Sequence, residues 1–282
     1  MTFHHLLLPT DFSDTAAEPA RHARLLADHF GATLHVLHVA YSTEAQRSAQ
    51  DEMAAFIESH GLAGASTSIA RAEAPGQGIA HYVEEHGIDL VVMGSHGRRG
   101  LERLFLGSTT EEVLRAATCA VLTVRTNLDA AAQLPVDGVL TPLDLSEGSL
   151  RALPHARTFA DAYNARLDLL HVFEDIDIPA IYGADIENPL FDYFPEARER
   201  TRAEMQRALA DTPGPEVASS VHFAKGHADE AIVDFAEEHG TDLIVMARTG
   251  RRGLTRLLMG STADGVLRTA PCPVLLVPVE EE

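Results

Sequence analysis

The sequence predicts an α/β fold with two tandem doubly wound domains, each built around a five-stranded parallel sheet. Three observations support this prediction. The chain has 282 residues, which is enough for two cores of roughly 140 residues each. The second half of the chain repeats the first. Within each half, short apolar runs alternate with stretches of helical periodicity, and this alternation is typical of βαβ units and a parallel sheet.

The repeat is clearest in the C-terminal part of each half. Residues 94–124 align without a gap to residues 247–277, and 18 of the 31 aligned positions are identical. The same offset of 153 residues pairs the segment that ends at Met93 with the segment that ends at Met246. Similarity of this extent indicates a duplicated domain.

The two halves differ in length near their middles. The segment Leu8 to Ser13 pairs with Thr141 to Ser146 at an offset of only 133, so the second half has about twenty additional residues. We place these residues within 176–196, where prolines, a glycine and aromatic residues interrupt helical periodicity.

The domain boundaries follow from these two offsets between the halves. The predicted domains are residues 1–128 and 136–282, joined by a linker at about 126–135 that is rich in Ala, Asn and Asp. Strands are expected near 4–9, 33–39, 65–70, 89–93 and 120–124, and in the second half near 137–141, 167–172, 217–224, 242–246 and 274–278. Helices fill the intervals, for example over 14–30, where small and apolar residues recur at the spacing of one buried helical face.

Composition excludes several classes of protein. Asp and Glu number 42 against 22 Lys and Arg, so long-range repulsion opposes binding to nucleic acid or to an anionic membrane surface. No stretch approaches the ~20 apolar residues of a membrane span, and the N-terminal segment lacks the features of a signal peptide. The two cysteines, Cys119 and Cys272, are too few for a disulfide scaffold or a metal cluster. A cytoplasmic protein without membrane insertion is expected.

A glycine-rich segment follows the fourth predicted strand of the first half. Its pattern is G-x2-G-x9-G-S, formed by Gly94, Gly97, Gly107 and Ser108, with Thr109 next. Glycines let backbone amides approach an anion without interference from a Cβ atom, and a helix N-terminus presents unpaired N–H groups. Ligands of open α/β sheets bind beyond the carboxyl ends of the strands, where this segment begins. The pattern therefore favours a polyphosphate site.

With this loop, the Pro-Thr-Asp-Phe-Ser that closes the first strand and the Leu-His-Val near the end of the second, the chain resembles the universal stress protein family over nearly its whole length. The resemblance implies ATP as ligand, with Mg²⁺ or Mn²⁺ as a companion ion. By the family's pattern, Asp11 and Val39 would flank adenine and ribose, and Met93 and Gly94 would line the approach of sugar and phosphate. Gly97, Gly107, Ser108 and Thr109 would hold the phosphates.

The resemblance also implies the assembly. Each sheet is expected to have the order 3-2-1-4-5, and the last strands, around Val121–Val124 and Val274–Val277, are expected to pair across a two-fold axis. One chain would then mimic a dimer, and two chains could associate further. An unknown protein partner is expected to read the nucleotide-bound state.

The second half departs from the glycine pattern at its first position. Ala247 replaces that glycine, and Arg248 follows it. The residues of a second, degraded site would be Asp144, Val172, Gly250, Gly260, Ser261 and Thr262. An alanine is tolerated if the backbone φ is negative and costs roughly 1 kcal/mol or more if φ is positive. Arg248 either contacts a phosphate or occupies the phosphate position through its own salt bridge.

Other sites find less support in the sequence. The P-loop pattern and the dinucleotide fingerprint are absent, and no catalytic constellation or protein metal site is recognisable. Asp11 and Asp144 could instead help to cap the helix that follows each of them. The functional expectation is a stress-response regulatory protein that binds ATP without designed catalysis. The rivals are an interaction scaffold that binds no nucleotide and a slow ATPase.

Overall fold

A computed structural model describes residues 2–95, 106–125, 135–173, 195–249 and 259–278. Ten strands in these residues form one continuous sheet with the order β3-β2-β1-β4-β5-β10-β9-β6-β7-β8. Neighbouring strands within each half are parallel, whereas β5 and β10 pair antiparallel at the centre. The predicted α/β fold with two tandem parallel-stranded units is confirmed.

The described residues of the first half form five strands and four helices. The strands are β1 (His5–Pro9), β2 (Thr33–Ala40), β3 (Ser66–Arg71), β4 (Leu90–Gly94) and β5 (Ala120–Val124). The helices are α1 (Ala17–Phe30), α2 (Thr43–Ser59), α3 (Pro75–His86) and α4 (Ser108–Ala116). A 3-10 turn over Asp14–Ala16 leads into α1.

The second half repeats these elements. Its strands are β6 (Gly138–Pro142), β7 (Arg166–Phe173), β8 (Ser219–Lys225), β9 (Leu243–Ala247) and β10 (Val274–Val277). Its helices are α5 (Glu147–Leu150), α6 (Ala152–Tyr163), α7 (Pro195–Asp211), α8 (Ala228–Glu238) and α9 (Ser261–Thr269).

Two predicted segments, the linker and the insertion, extend beyond the residues that the structure describes. Most of the predicted linker and of the predicted insertion lies outside the described residues. The last residues of the predicted insertion, Pro195 and Glu196, lie in α7. A proline is well tolerated in the first turn of a helix, where its missing N–H has no intrahelical acceptor.

The sheet separates two apolar layers, and successive strand residues alternate between them. Leu6 and Leu8 of β1 belong to one layer with buried side chains of α1, α2, α6 and α7. Leu7 belongs to the other layer with side chains of α3, α4, α8 and α9. Each layer contains residues of both halves, so the two repeats share their core. No described helix is long and apolar enough to cross a membrane.

The halves meet through strands and through helices. At the centre of the sheet Leu122 pairs with Leu275, and the hydroxyl of Thr123 donates to the carbonyl of Val274 over 2.9 Å. On the face that carries α1 and α6, the rings of Phe3 and Phe159 pack edge to face with centroids 5.7 Å apart. The junction is therefore a buried and specific interface.

Candidate functional site

A cleft of about 770 Å³ opens at the carboxyl ends of β1, β2 and β4, between α2 and the start of α4. Its lining includes seven of the eight residues predicted for the first half: Asp11, Val39, Met93, Gly94, Gly107, Ser108 and Thr109. Gly97 lies outside the described residues. Parallel strands end together at one edge of the sheet, and this is why residues so distant in sequence share one cleft.

One end of the cleft is the first turn of α4. Gly107 is the N-cap of this helix, with φ −64° and ψ 140°, and no side chain caps the turn. The N–H of Gly107 donates to the carbonyl of Ser95 over 2.9 Å, and the Thr110 hydroxyl donates to the carbonyl of Gly94 over 3.0 Å. These bonds fix the helix start against the end of β4. The first N–H groups of a helix have no intrahelical acceptor, so they point towards the cleft as anion donors.

The carboxylate of Asp11 stands at the cleft and shapes the turn after β1. Its Oδ1 accepts hydrogen bonds from the N–H of Ser13 at 3.1 Å and from the Ser13 hydroxyl at 2.5 Å. The same hydroxyl lies 2.7 Å from the hydroxyl of Thr15. Asp11 therefore organises a local turn ahead of the helix, and this role is compatible with contact to a ligand.

Three of the lining residues that were not predicted from the sequence contact one another. Phe12 has the left-handed φ of 62°, which is rare for a residue that is not glycine. Its N–H donates to the hydroxyl of Thr10 over 3.0 Å, and its ring stacks on His38 at a centroid distance of 4.5 Å and an angle of 22°. The Nδ1 of His38 lies 2.9 Å from the carbonyl of Thr10. This network holds two rings at the base of the cleft.

The electrostatic character of the cleft comes from carboxylates and backbone dipoles. Among the described lining residues, Asp11 and Glu52 carry carboxylates, and none is Lys or Arg. The described lining therefore offers N–H groups and hydroxyls as donors to a bound anion. Within the part of the chain that the structure describes, no cluster of three or more His, Cys, Asp or Glu side chains could hold a metal ion.

The two cysteines are not among the described residues that line the cleft. Both are free and buried, at equivalent positions ahead of β5 and β10. Burial raises the pKa of Cys119 to about 12, although Arg248 opposes the shift. Burial also raises the pKa of Cys272 to about 12. Because the thiolate is the reactive species, both thiols are inert packing groups.

The second half reproduces the backbone of the site. Gly260 caps α9 with φ −62° and ψ 148°, and its N–H donates to the carbonyl of Arg248 over 3.0 Å. The carboxylate of Asp144 accepts from the N–H and the hydroxyl of Ser146 at 2.9 and 2.5 Å. Ser261 and Thr262 begin α9. Val172 is half-buried near the end of β7, and Gly250 lies outside the described residues.

Ala247 takes the place of Gly94 without visible strain. Neither residue has a positive φ, so an L side chain fits there. Ala247 is buried at the end of β9 and pairs with Val277. The substitution by itself therefore does not disturb the backbone at the carboxyl end of this strand.

Arg248 does neither of the two things that the sequence suggested. Its side chain is buried, and its guanidinium donates to the carbonyl of Ala117 over 3.0 Å and to that of Cys119 over 3.4 Å. These carbonyls follow α4 of the first half. The sequence analysis considered a phosphate or a salt-bridge partner for this side chain, whereas the structure gives it backbone carbonyls of the other half. Arg248 joins the two halves, at the position that Ser95 occupies in the first repeat.

A second arginine makes the reciprocal connection. The guanidinium of Arg125 donates to the carbonyls of Arg268 at 3.1 Å and of Ala270, at the end of α9. The helix macrodipole favours a cation at this position. Each half thus ends its last helix against an arginine of the other half.

Both halves of the chain are similar to known proteins. The model of the universal stress protein family matches residues 2–125 and again residues 136–278. The chain belongs to the universal stress protein family. Its two matches make it a tandem member, and together they cover all ten strands of the sheet described above.

Other universal stress proteins are similar to this chain in sequence or in fold. One from Methanocaldococcus jannaschii is 34% identical over 143 residues, covering 49% of this chain and 80% of its own. One from Mycolicibacterium smegmatis is 32% identical over 191 residues, covering 67% of this chain and 61% of the relative. The solved structure of a universal stress protein from Archaeoglobus fulgidus covers 97% of this chain and 98% of its own, with a TM-score of 0.69 and 22% identity. This last likeness concerns the fold alone.

Proposed function

We propose that the first half of this universal stress protein binds an adenine nucleotide, ATP foremost, and that the chain is a stress-response regulatory module without designed catalysis. The observation that carries the proposal is the single cleft that contains the predicted residues of β1, β2, β4 and α4. Its volume of about 770 Å³ lies in the range of small-molecule sites.

The residues present fit a polyphosphate at the α4 end. Gly107 offers no side chain that would fill the space above the first turn, and Ser108 and Thr109 line the cleft with hydroxyl groups. A helix N-terminus carries a partial positive charge that favours phosphate. Because the described lining lacks Lys and Arg, a Mg²⁺ or Mn²⁺ ion bound with the nucleotide would supply charge neutralisation.

The other end of the cleft suits a nucleoside. Val39 provides buried apolar surface and Asp11 provides a carboxylate in the lining of the cleft. A base with an exocyclic amine can donate to a carboxylate while its faces pack on aliphatic groups. The lining therefore offers both polar and apolar groups to an adenine nucleotide.

The second half is assigned a structural function. Its α9 start has the backbone of the α4 start, but Arg248 is committed to the carbonyls that follow α4. We expect one nucleotide per chain, bound in the first half. Occupancy of that cleft would change the surface at the carboxyl edge of the sheet, and a partner protein would recognise the change.

The duplication supplies a matched experiment. Ser108 and Ser261 are the first residues of α4 and α9. An aspartate at either position is compatible with a helix N-terminus but repels phosphate. Isothermal titration of Mg·ATP should show at least about tenfold weaker binding to Ser108→Asp, whereas Ser261→Asp should bind like the wild type with a stoichiometry of one.

Each rival function predicts a different result. An interaction scaffold shows no heat with ATP and releases no nucleotide when purified protein is denatured and extracted. Weak binding by Ser261→Asp together with normal binding by Ser108→Asp would place the site in the second half. A slow ATPase releases phosphate at a steady rate, and Asp11→Ala would change that rate. Absence of ATP binding by the wild type contradicts the proposal.

A further inference from the structure

The mouth of the first cleft carries an exposed aromatic ring. Among the described residues, Tyr41 is the one large apolar side chain that is exposed, at 68%. It follows β2 directly and lines the cleft. Tyrosine binds planar ligands at low entropic cost, since two χ angles fix its ring.

The backbone on both sides of Tyr41 is held in place. The carbonyl of Ala40 accepts from the N–H of Ala72 over 3.2 Å. On the other side, Ser42 caps α2, and its hydroxyl oxygen accepts from the N–H of Ala45 over 3.1 Å. The backbone that carries the ring of Tyr41 is therefore held in place at the carboxyl end of β2.

Two aromatic residues of the first cleft have no aromatic counterpart at the aligned positions of the second half. At the offset of 133 residues that relates the first strands of the repeats, Leu145 corresponds to Phe12 and Glu174 corresponds to Tyr41. Leu145 keeps the left-handed backbone with φ 61°, so the turn is conserved without its ring. The half with both aromatic residues is also the half with the intact glycine pattern.

We infer that Tyr41 is a base-stacking residue that makes the first half selective for purine nucleotides. The inference rests on the proposed function and deepens it, because it assigns the recognition of the base to a residue outside the predicted site. The ring of Tyr41 covers one face of the purine while the phosphates lie at the start of α4. Purines bind more tightly than pyrimidines here, since their larger ring system gives more stacking area.

The test compares ligands with and without a base. Mg·ATP, Mg·CTP and inorganic tripolyphosphate with Mg²⁺ are titrated calorimetrically into wild type, Tyr41→Ala and Tyr41→Phe. Loss of a base stack weakens binding roughly five- to one-hundredfold. We expect that loss for ATP with Tyr41→Ala, unchanged tripolyphosphate binding, and wild-type affinity for Tyr41→Phe, which retains the ring. Wild type should prefer ATP over CTP, and Tyr41→Ala should lose most of this preference.

Fluorescence gives an independent measurement, because the chain has no tryptophan. Stacking of a purine on Tyr41 should quench tyrosine emission in the wild type, and Tyr41→Phe should lose that quenching while it keeps its affinity. Equal ATP affinity of wild type and Tyr41→Ala overturns the inference but leaves the proposed function intact. Equal weakening of ATP and tripolyphosphate also overturns it, since the effect would then not concern the base. If the wild type binds no ATP, the proposed function and this inference fail together.

Discussion

The guanidinium of Arg248 donates a hydrogen bond to the carbonyl of Ala117, 3.0 Å away, and so connects the loop of one repeat to the last helix of the other. Arg248 is 7% exposed, and its Nε has no hydrogen-bond partner among the residues that the structure describes. Burial lowers the pKa of this arginine below its ordinary value. A buried cation is costly unless its surroundings supply acceptors. Here the acceptors are backbone carbonyls at a helix C-terminus, where the macrodipole favours positive charge.

Truncation of Arg248 should destabilise the whole chain. Arg248→Ala leaves a cavity between the halves and removes the donors to two carbonyls, so we expect the free energy of unfolding to fall by about 3 kcal/mol. Arg248→Met keeps most of the volume and removes the buried charge, so its loss should be smaller. Urea unfolding followed by circular dichroism measures both differences.

The matched control is an exposed arginine. Arg47 lies on the solvent face of α2, and Arg47→Ala should change the free energy of unfolding by less than about 0.5 kcal/mol. If Arg248→Ala and Arg47→Ala have equally small effects, the contact between Arg248 and the end of α4 contributes nothing measurable to stability.

Acid should weaken the fold through His22. This histidine is 1% exposed, and its Nδ1 lies 2.7 Å from the hydroxyl of Tyr163 in the other half. Burial, with a smaller contribution from Arg21, lowers the pKa of His22 to about 4. The unfolded chain takes up the proton first as pH falls, so the free energy of unfolding drops between about pH 6.5 and 4. The contribution of this group is about 3 kcal/mol.

Two variants isolate that contribution. His22→Gln removes the titrating group, so urea unfolding at pH 7 and at pH 4.5 should show a smaller difference than in the wild type. His81 has a side chain that is 70% exposed, and His81→Gln should leave the difference unchanged. An unaltered pH dependence in His22→Gln would mean that other groups account for the acid sensitivity.

The strands could be predicted well from the sequence because helices cover both faces of a parallel sheet. Strands buried on both faces read as short apolar runs, and the run expected at 33–39 corresponds to the strand Thr33–Ala40. The fold fixes where those strands end, and this places Val39 and Met93 in the cleft, whereas their assignment to a ligand came from the family resemblance and stays a prediction. Whether Gly97 and Gly250 complete the two loops stays a prediction.

Side-chain partners across the repeats could not be predicted in this way. Arg248 and Ala117 are 131 residues apart, and only the antiparallel pairing of β5 with β10 brings them together. The left-handed turn at Phe12 was also missed, because glycine is the usual signal for that backbone and none is present. In both cases the deciding contact is tertiary, and no local pattern in the sequence records it.

The two halves should stay together after the chain is cut between them. The family matches end at residue 125 and resume at residue 136, so a protease site inserted within 126–134 separates the repeats covalently. The pairing of β5 with β10 and the contacts of α1 with α6 bury one continuous core. Size-exclusion chromatography of the cut protein should therefore show one species of the uncut size. Separation into two fragments without denaturant would contradict this interface.

The two repeats differ by the exchange of a glycine and an acidic residue between two packed helices. In the first half Gly76 of α3 packs against Glu112 of α4, and a Cβ at Gly76 would come within 2.5 Å of the Glu112 Oε2. At the offset of 153 residues, Asp229 corresponds to Gly76 and Gly265 to Glu112. A Cβ at Gly265 would lie 2.8 Å from that of Asp229. Each helix pair thus holds one carboxylate side chain against one glycine, with the positions exchanged.

This exchange predicts a strong coupling between the two positions. Gly76→Asp places a second carboxylate where the Glu112 side chain already lies, so the free energy of unfolding should fall by roughly 1–3 kcal/mol. Glu112→Gly should cost about 1 kcal/mol through helix propensity. The double variant reproduces the arrangement of the second half, so its loss should be smaller than the sum of the single losses by at least about 1 kcal/mol. Additive losses in urea unfolding would show that exchanging the glycine and the carboxylate does not restore the packing of α3 against α4.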